Sequence, residues 1–195
     1  MAYSHLRSAW IVAALLSCSC IPQPPSLRMS LVWTPKDDVR DIAGSALDAF
    51  SRQRVLVAPF VDRRTNPEQI GTNIEQRERP VYSGDDLAAF LTKSFCSVLT
   101  ENGIPVTRSG GSRVISADIL RFFVTEENTY NALVTIRFRV ADDTGTVLWE
   151  GTTDGHAKRW GRSFSAENYA EAYSNAFLES TLELFKTPGF LRAFY

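Results

Sequence analysis

The 195 residues predict an α+β domain, a mixed and mostly antiparallel sheet with two amphipathic helices packed on one face. Three patterns carry that prediction. Leu87, Phe90, Leu91, Ser94, Phe95, Val98 and Leu99 recur at helical spacing. Tyr169, Ala172, Tyr173, Ala176, Phe177, Ser180 and Leu184 form a second such stripe. Between them Val134, Ile136, Phe138 and Val140 alternate with Thr135, Arg137 and Arg139, as in a strand with one face on the core and one in water. The composition, 44% apolar and 22% charged, suits one domain with a sizeable core. With 21 Lys and Arg against 22 Asp and Glu the formal charge is −1, which leaves no basic excess for a nucleic-acid partner.

The first residues read as an export signal. Met1–Arg7 is a short polar start, and the apolar run up to Leu16 is too short to span a bilayer as a helix. Leu15-Leu16-Ser17-Cys18 then resembles the bacterial lipobox, in which a cysteine thiol accepts diacylglycerol and a small residue before it admits the peptidase. This divides the chain into a lipoprotein signal peptide, 1–17, a lipidated Cys18 with a Pro-rich tether, 18–29, and a single domain, 30–195. Cleavage elsewhere, as an ordinary secretory signal, and an uncleaved anchor are the alternatives. Cutting before Cys20 would put Ser17 where the lipobox has Leu. The resemblance implies a membrane partner reached through the lipid, and Ser19 in place of Asp implies the outer membrane, facing the periplasm, with the inner membrane or the cell surface as the alternatives.

In the tether, Pro22, Pro24 and Pro25 exclude a helix. Ser30–Thr34 reads as an edge strand stopped by Pro35, and 37–50 as a helix weakened by Gly44. The run from Arg54 to Val61 reads as one strand with Pro59 near an edge, and the polar segment from Asp62 to Arg79 as a long exposed loop. Ser83 is the expected N-cap of the first long helix, and Asn102-Gly103 its end. Strands are expected at 114–124, 132–140 and from Thr146 through a bulge at Asp154-Gly155 to Trp160, joined by hairpins. Ser165 caps the last helix, Pro188 breaks it, and the apolar tail with Phe190 and Phe194 folds back.

The lipobox, the strand running into Asp62-Arg63-Arg64, the following Ile70-Gly71, the capped helix, the meander and the last helix together resemble the YajG-type bacterial lipoproteins. Asp62, Arg64, Ile70 and Gly71 occupy the places of that family's Asp-x-Arg and Ile-Gly. The architecture is also similar to the N-terminal domain of TolB and to auxiliary lipoproteins of ABC-type lipid transport. The resemblance implies an outer-membrane-tethered α+β domain without an assigned activity.

The candidate partner surface is Asp62, Arg64, Ile70, Gly71 and Trp160. Asp62 and Arg64, two apart, point the same way and either pair or present a charged edge; a plain strand-to-loop junction is the other reading. His156, Lys158 and Arg159 beside Trp160 form either a cationic-aromatic patch or a solvated strand face. His156 is the only histidine after the signal, so neither a zinc site nor a Ser-His-Asp triad is expected; nor is any other metal or cofactor. Glu126-Glu127 and Asp142-Asp143 are read as turn residues, and Cys96 as a free thiol. The expected function is a non-enzymatic envelope adaptor or structural component with a possible envelope protein partner; the alternative is a lipid- or glycan-binding module.

Overall fold

The structure, a computed structural model, describes residues 25–195 except 41, 43, 51 and 52. The segment read as an export signal, Cys18 and Cys20 lie outside the described residues.

The spine of the sheet is β7 (Arg113–Glu126). Along one side it pairs antiparallel with β8 (Thr129–Asp142), which pairs in the same sense with β9 (Val147–Trp160). Its other side takes three short parallel strands in succession: β2 (Val55–Val57), β3 (Val61–Asp62) and β4 (Gln69–Asn73). Beyond β4 lie β5 (Arg79–Tyr82), antiparallel to it, and then β1 (Leu27–Arg28), parallel to β5; β6 (Val106–Thr107) flanks β2. The nine strands make one open mixed sheet. Five of the eight described pairings are parallel, although the long strands are antiparallel. Short strands arriving one after another along the same edge of β7 all run its way, which periodicity could not reveal.

Among the described residues four helical segments contribute to the core, the two long amphipathic helices, the expected helix within 37–50 and a short one in the tail: α1 (Gly44–Phe50), α2 (Leu87–Glu101), α3 (Ala166–Lys186) and α4 (Pro188–Arg192). The two long stripes pack as their spacing predicts. Phe95 of α2 meets Phe138 of β8 at 5.5 Å between centroids, and Tyr173 of α3 meets Phe122 of β7 at 5.0 Å. The tail folds back as α4, placing Phe190 and Phe194 against Phe50 and sealing the core beside Phe185. The cap of α2 is Asp86, whose carboxylate accepts the Ala89 N–H at 2.9 Å; the Ser83 hydroxyl accepts the Asp85 N–H instead. Asn102 closes that helix, followed by Gly103 at φ +77°.

Several boundaries differ from the expected ones. The 54–61 strand is split, because Pro59 has no N–H and the Phe60 N–H turns to the Thr92 hydroxyl on α2, carrying the Phe60 ring onto Phe95. The segment read as the long loop 62–79 contains β4, with Ile70 and Gly71 buried. The chain joins the sheet at Leu27, within the stretch read as tether. Residues 30–34 form no strand. They cross as a strap whose N–H groups are taken by side chains: Val32 by the Tyr173 hydroxyl at 2.7 Å, Thr34 by Ser174 at 3.1 Å. The described helix in 37–50 begins only at Gly44.

Strand β9 is continuous through Asp154-Gly155, without the expected bulge; the register shifts fall at Leu120 and Leu148 instead. Gly155 serves helix packing. A Cβ there would lie 1.8 Å from the Ala176 carbonyl oxygen, so only glycine lets α3 approach β9 this closely.

Candidate functional site

Asp62 and Arg64 do meet, and they meet as a clamp. All five guanidinium N–H groups of Arg64 are used. Nε and Nη2 form a fork on the Asp62 carboxylate, with Nη2–Oδ2 at 2.8 Å. The remaining donors reach the carbonyls of Pro67, Gln69 and Phe122. The Arg64 backbone N–H also bonds Asp62 Oδ1 at 3.0 Å. The side chain is only 6% exposed. This side chain ties the β3–β4 connection to the spine next to Leu120, the residue that interrupts the β7–β8 register.

Ile70 is buried, and so is Gly71, where a Cβ would stand 2.6 Å from the Val124 carbonyl oxygen and 2.9 Å from the Tyr169 ring. These four residues therefore hold the fold around β4, the role expected of a structural junction. The fifth, Trp160, is 75% exposed at the end of β9, with the Lys158 ammonium 5.3 Å from its ring. It pairs with Thr129, beyond the β7–β8 turn from the clamp.

A buried polar cluster lies where turn solvation was expected. Glu126 continues the inward phase of Phe122 and Val124, so its carboxylate enters the core. It accepts the Tyr169 hydroxyl at 2.9 Å and the Phe164 N–H at 2.9 Å. Burial, and then the hydrogen bond to Glu126, push the Tyr169 phenol far above its ordinary range. Beside it Asn168 donates to the Tyr130 hydroxyl at 3.2 Å, and the Tyr130 and Tyr169 rings meet edge to face at 5.0 Å. The same inward phase, extended two residues past Val124, was the sequence signal for Glu126. Asp142, by contrast, is the last residue of β8 and caps the turn that follows: Oδ1 accepts N–H groups of Thr144 and Thr146, and the Thr144 hydroxyl first among them holds its carboxyl below the usual range.

A surface concavity of about 640 Å³ forms an open groove between the strap and the first half of α3. Met29, Val32, Ala166 and Ala170 give it apolar walls, with Arg28 and Lys36 among its charged groups. Arg159 in its wall faces Glu171, Nε to Oε2 at 3.1 Å. His156 stands exposed on β9, and its backbone N–H is taken by the Glu179 carboxylate. Among the described residues no group of three or more His, Cys, Asp or Glu is placed to hold a metal ion, and no helix is long and apolar enough to cross a membrane. Cys96 is a free, half-buried thiol that burial pushes up.

No family model matches the chain, and no curated protein matches it. Among solved structures it is similar to protein XCC0632 from Xanthomonas campestris, described by the family model DUF330. The two share 15% identity and a TM-score of 0.53, over 83% of this chain and 90% of that one. A minor lipoprotein from Acinetobacter baumannii gives 10% identity and a TM-score of 0.42, over 71% and 94% of the two chains. The PelC dodecamer from Paraburkholderia phytofirmans gives 15% and 0.42, over 65% and 84%. At such identities the likeness to the Xanthomonas protein is one of fold; the other two superpose too loosely to support more.

Proposed function

We propose that this chain is a lipid-anchored component of the bacterial cell envelope, held at the outer membrane on the periplasmic side. Its domain serves as a binding or structural part, without catalysis. The observation that carries this reading is the anchor sequence: a short apolar run, Leu15-Leu16-Ser17-Cys18, and three prolines before the chain enters the sheet at Leu27. A cysteine bearing two or three acyl chains would hold the domain firmly, each buried methylene contributing about 0.8 kcal/mol. Further support comes from where the polar groups go. Arg64, Glu126 and Tyr169 are engaged in holding loops and helix to the sheet. Within the YajG-type resemblance, this is a domain that acts by contact.

The test is intact mass and membrane fractionation of the wild type and of Cys18→Ala. An acyl mass and outer-membrane partition that both depend on Cys18 are expected. A wild type without acyl mass in the soluble fraction would overturn the reading. In-cell cross-linking is then expected to capture an envelope protein. The groove of about 640 Å³ favours a second reading, a lipid- or glycan-binding module, which native mass spectrometry of the purified chain tests by a co-purified ligand.

A further inference from the structure

We infer that the end of the sheet from which the tether departs is a membrane-contact face, docking on the anionic surface of the bilayer that holds the lipid. The inference rests on the anchor reading above.

Strand directions bring the relevant segments together. Strand β7 ends at Glu126 beside the end of β4 at Asn73; β5 and β1 both start at this same end; and Trp160 closes β9 opposite Thr129. One pole therefore carries the chain's entry at Pro25, the β4–β5 tip, the β7–β8 turn and the loop from Gly161 to Ser165. Arg79 binds three of these. Its Nε donates to the Pro25 carbonyl at 2.9 Å, Nη1 donates to Gln76 in the tip, and the guanidinium lies 3.8 Å from the Phe164 ring centroid.

Reach decides which face can touch the membrane. From Cys18 to Pro25 is seven residues, which extend at most about 25 Å. Strand β9 has 14 residues, about 45 Å at the usual rise, so the opposite pole is set away from the anchor by the length of the domain. The near pole has the side chains an interface requires. Trp160 is 75% exposed and Ile74 41% exposed, and Trp is enriched at the membrane–water boundary because its ring is both apolar and polar-tipped. Around them stand exposed Arg28, Arg77, Lys158 and Arg162 and half-buried Arg79 and Arg159, against exposed Glu75, Glu78, Glu127 and Glu167 and the Arg159-bound Glu171, so six cations meet five carboxylates on a chain whose net charge is −1. Basic side chains this close to an anionic leaflet are attracted within about a Debye length, roughly 8–10 Å.

Backbone strain points to the same pole. Among the described residues the non-glycine positions at positive φ are Arg77 (60°), Glu78 (54°) and Phe164 (45°), two in the β4–β5 tip and one in the facing loop. Glycine or asparagine would serve such turns more easily, so their place here is filled by residues that present charge and hold Arg79. The buried Glu126 carboxylate, bonded to the Phe164 N–H, pins the loop in that conformation.

The test uses the full chain, purified with its native lipid and reconstituted into phosphatidylethanolamine/phosphatidylglycerol vesicles whose acyl chains carry bromine. Trp33 and Trp149 are half-buried, so contact quenching reports chiefly on Trp160. Wild-type emission is expected to be quenched. Trp160→Phe should lose that quenching while keeping its fold, and Arg77→Glu with Lys158→Glu should weaken its dependence on phosphatidylglycerol. An acylated, vesicle-bound wild type quenched no more than Trp160→Phe would overturn the contact face while leaving the anchor standing, and would turn Trp160 over to a protein partner. A chain with no acyl mass on Cys18 would overturn the anchor, and this inference with it.

Discussion

Arg64 shows how much one side chain can organise. Its donors join a carboxylate and three backbone carbonyls, and a lysine cannot reproduce that planar fork. Arg64→Lys should therefore cost about 2 kcal/mol or more in urea unfolding, whereas Arg63→Lys, at a side chain 59% exposed, should cost under about 1 kcal/mol. The glycines offer a sharper contrast. Gly155→Ala drives a methyl into the backbone of α3 and should lower the melting temperature strongly, while Gly44→Ala, with open space around it, should be neutral or gain up to about 1 kcal/mol from helix propensity. Equal losses at the two positions would mean that the close approach of α3 to β9 is not what glycine permits. The Asp-x-Arg pair was legible in the sequence as a pair; its three carbonyl partners were not, because they come from Pro67, Gln69 and the distant Phe122.

Among the elements, the strap and the open sheet face respond to pH in opposite directions. Tyr173 accepts the Val32 N–H and donates to the Val32 carbonyl at 3.1 Å, and burial pushes its phenol up to about 12. A folded value above the unfolded one, 10.0, gives stability that is complete below pH 10 and is lost as pH rises through about 12. Alkaline unfolding in that window, with Tyr173→Phe losing about 1–2 kcal/mol at neutral pH, is the expected result of a pH series followed by circular dichroism. On the other face of the sheet, burial raises the Asp118 carboxyl, but hydrogen bonds from Arg137 and Arg63 outweigh that and hold it below its ordinary 3.8. Its contribution is present above that value and is lost as pH falls further. Arg137→Gln should accordingly reduce the acid sensitivity of unfolding, and an unchanged acid limb would remove Asp118 as a cause.

At the scale of the molecule, strap, helices and tail share one core. Trp33 meets Phe177 at 5.9 Å and Trp149 meets Phe190 at 5.3 Å, so an indole in the strap and one packed on the tail report on the same interior. Tryptophan fluorescence and far-ultraviolet circular dichroism should give one coincident unfolding transition. An early fluorescence change would mean that the strap or the tail releases by itself. Phe190→Ala, which leaves a void among Phe50, Phe185 and Phe194, should cost about 3–5 kcal/mol and move both probes together.

The sequence by itself determined the α+β class, both long helices, the three-strand meander and the return of the aromatic tail, because each is written in a local period of 3.6 or 2 that side-chain burial then obeys. It also supplied Leu15-Leu16-Ser17-Cys18, the local pattern on which the proposed lipid anchor rests. Tertiary structure alone decided the parallel docking of β2, β3 and β4 on β7, the strand hidden in the polar 62–79 segment, and the strap held by Tyr173 and Ser174. In these places short segments gain their hydrogen bonds from partners far along the chain, up to 142 positions away for Ser174 and Val32, and nothing in their own spacing records those partners. The gathering of Pro25, Arg77, Trp160 and Phe164 at one pole is of the same kind: it follows from strand direction, which no local period encodes.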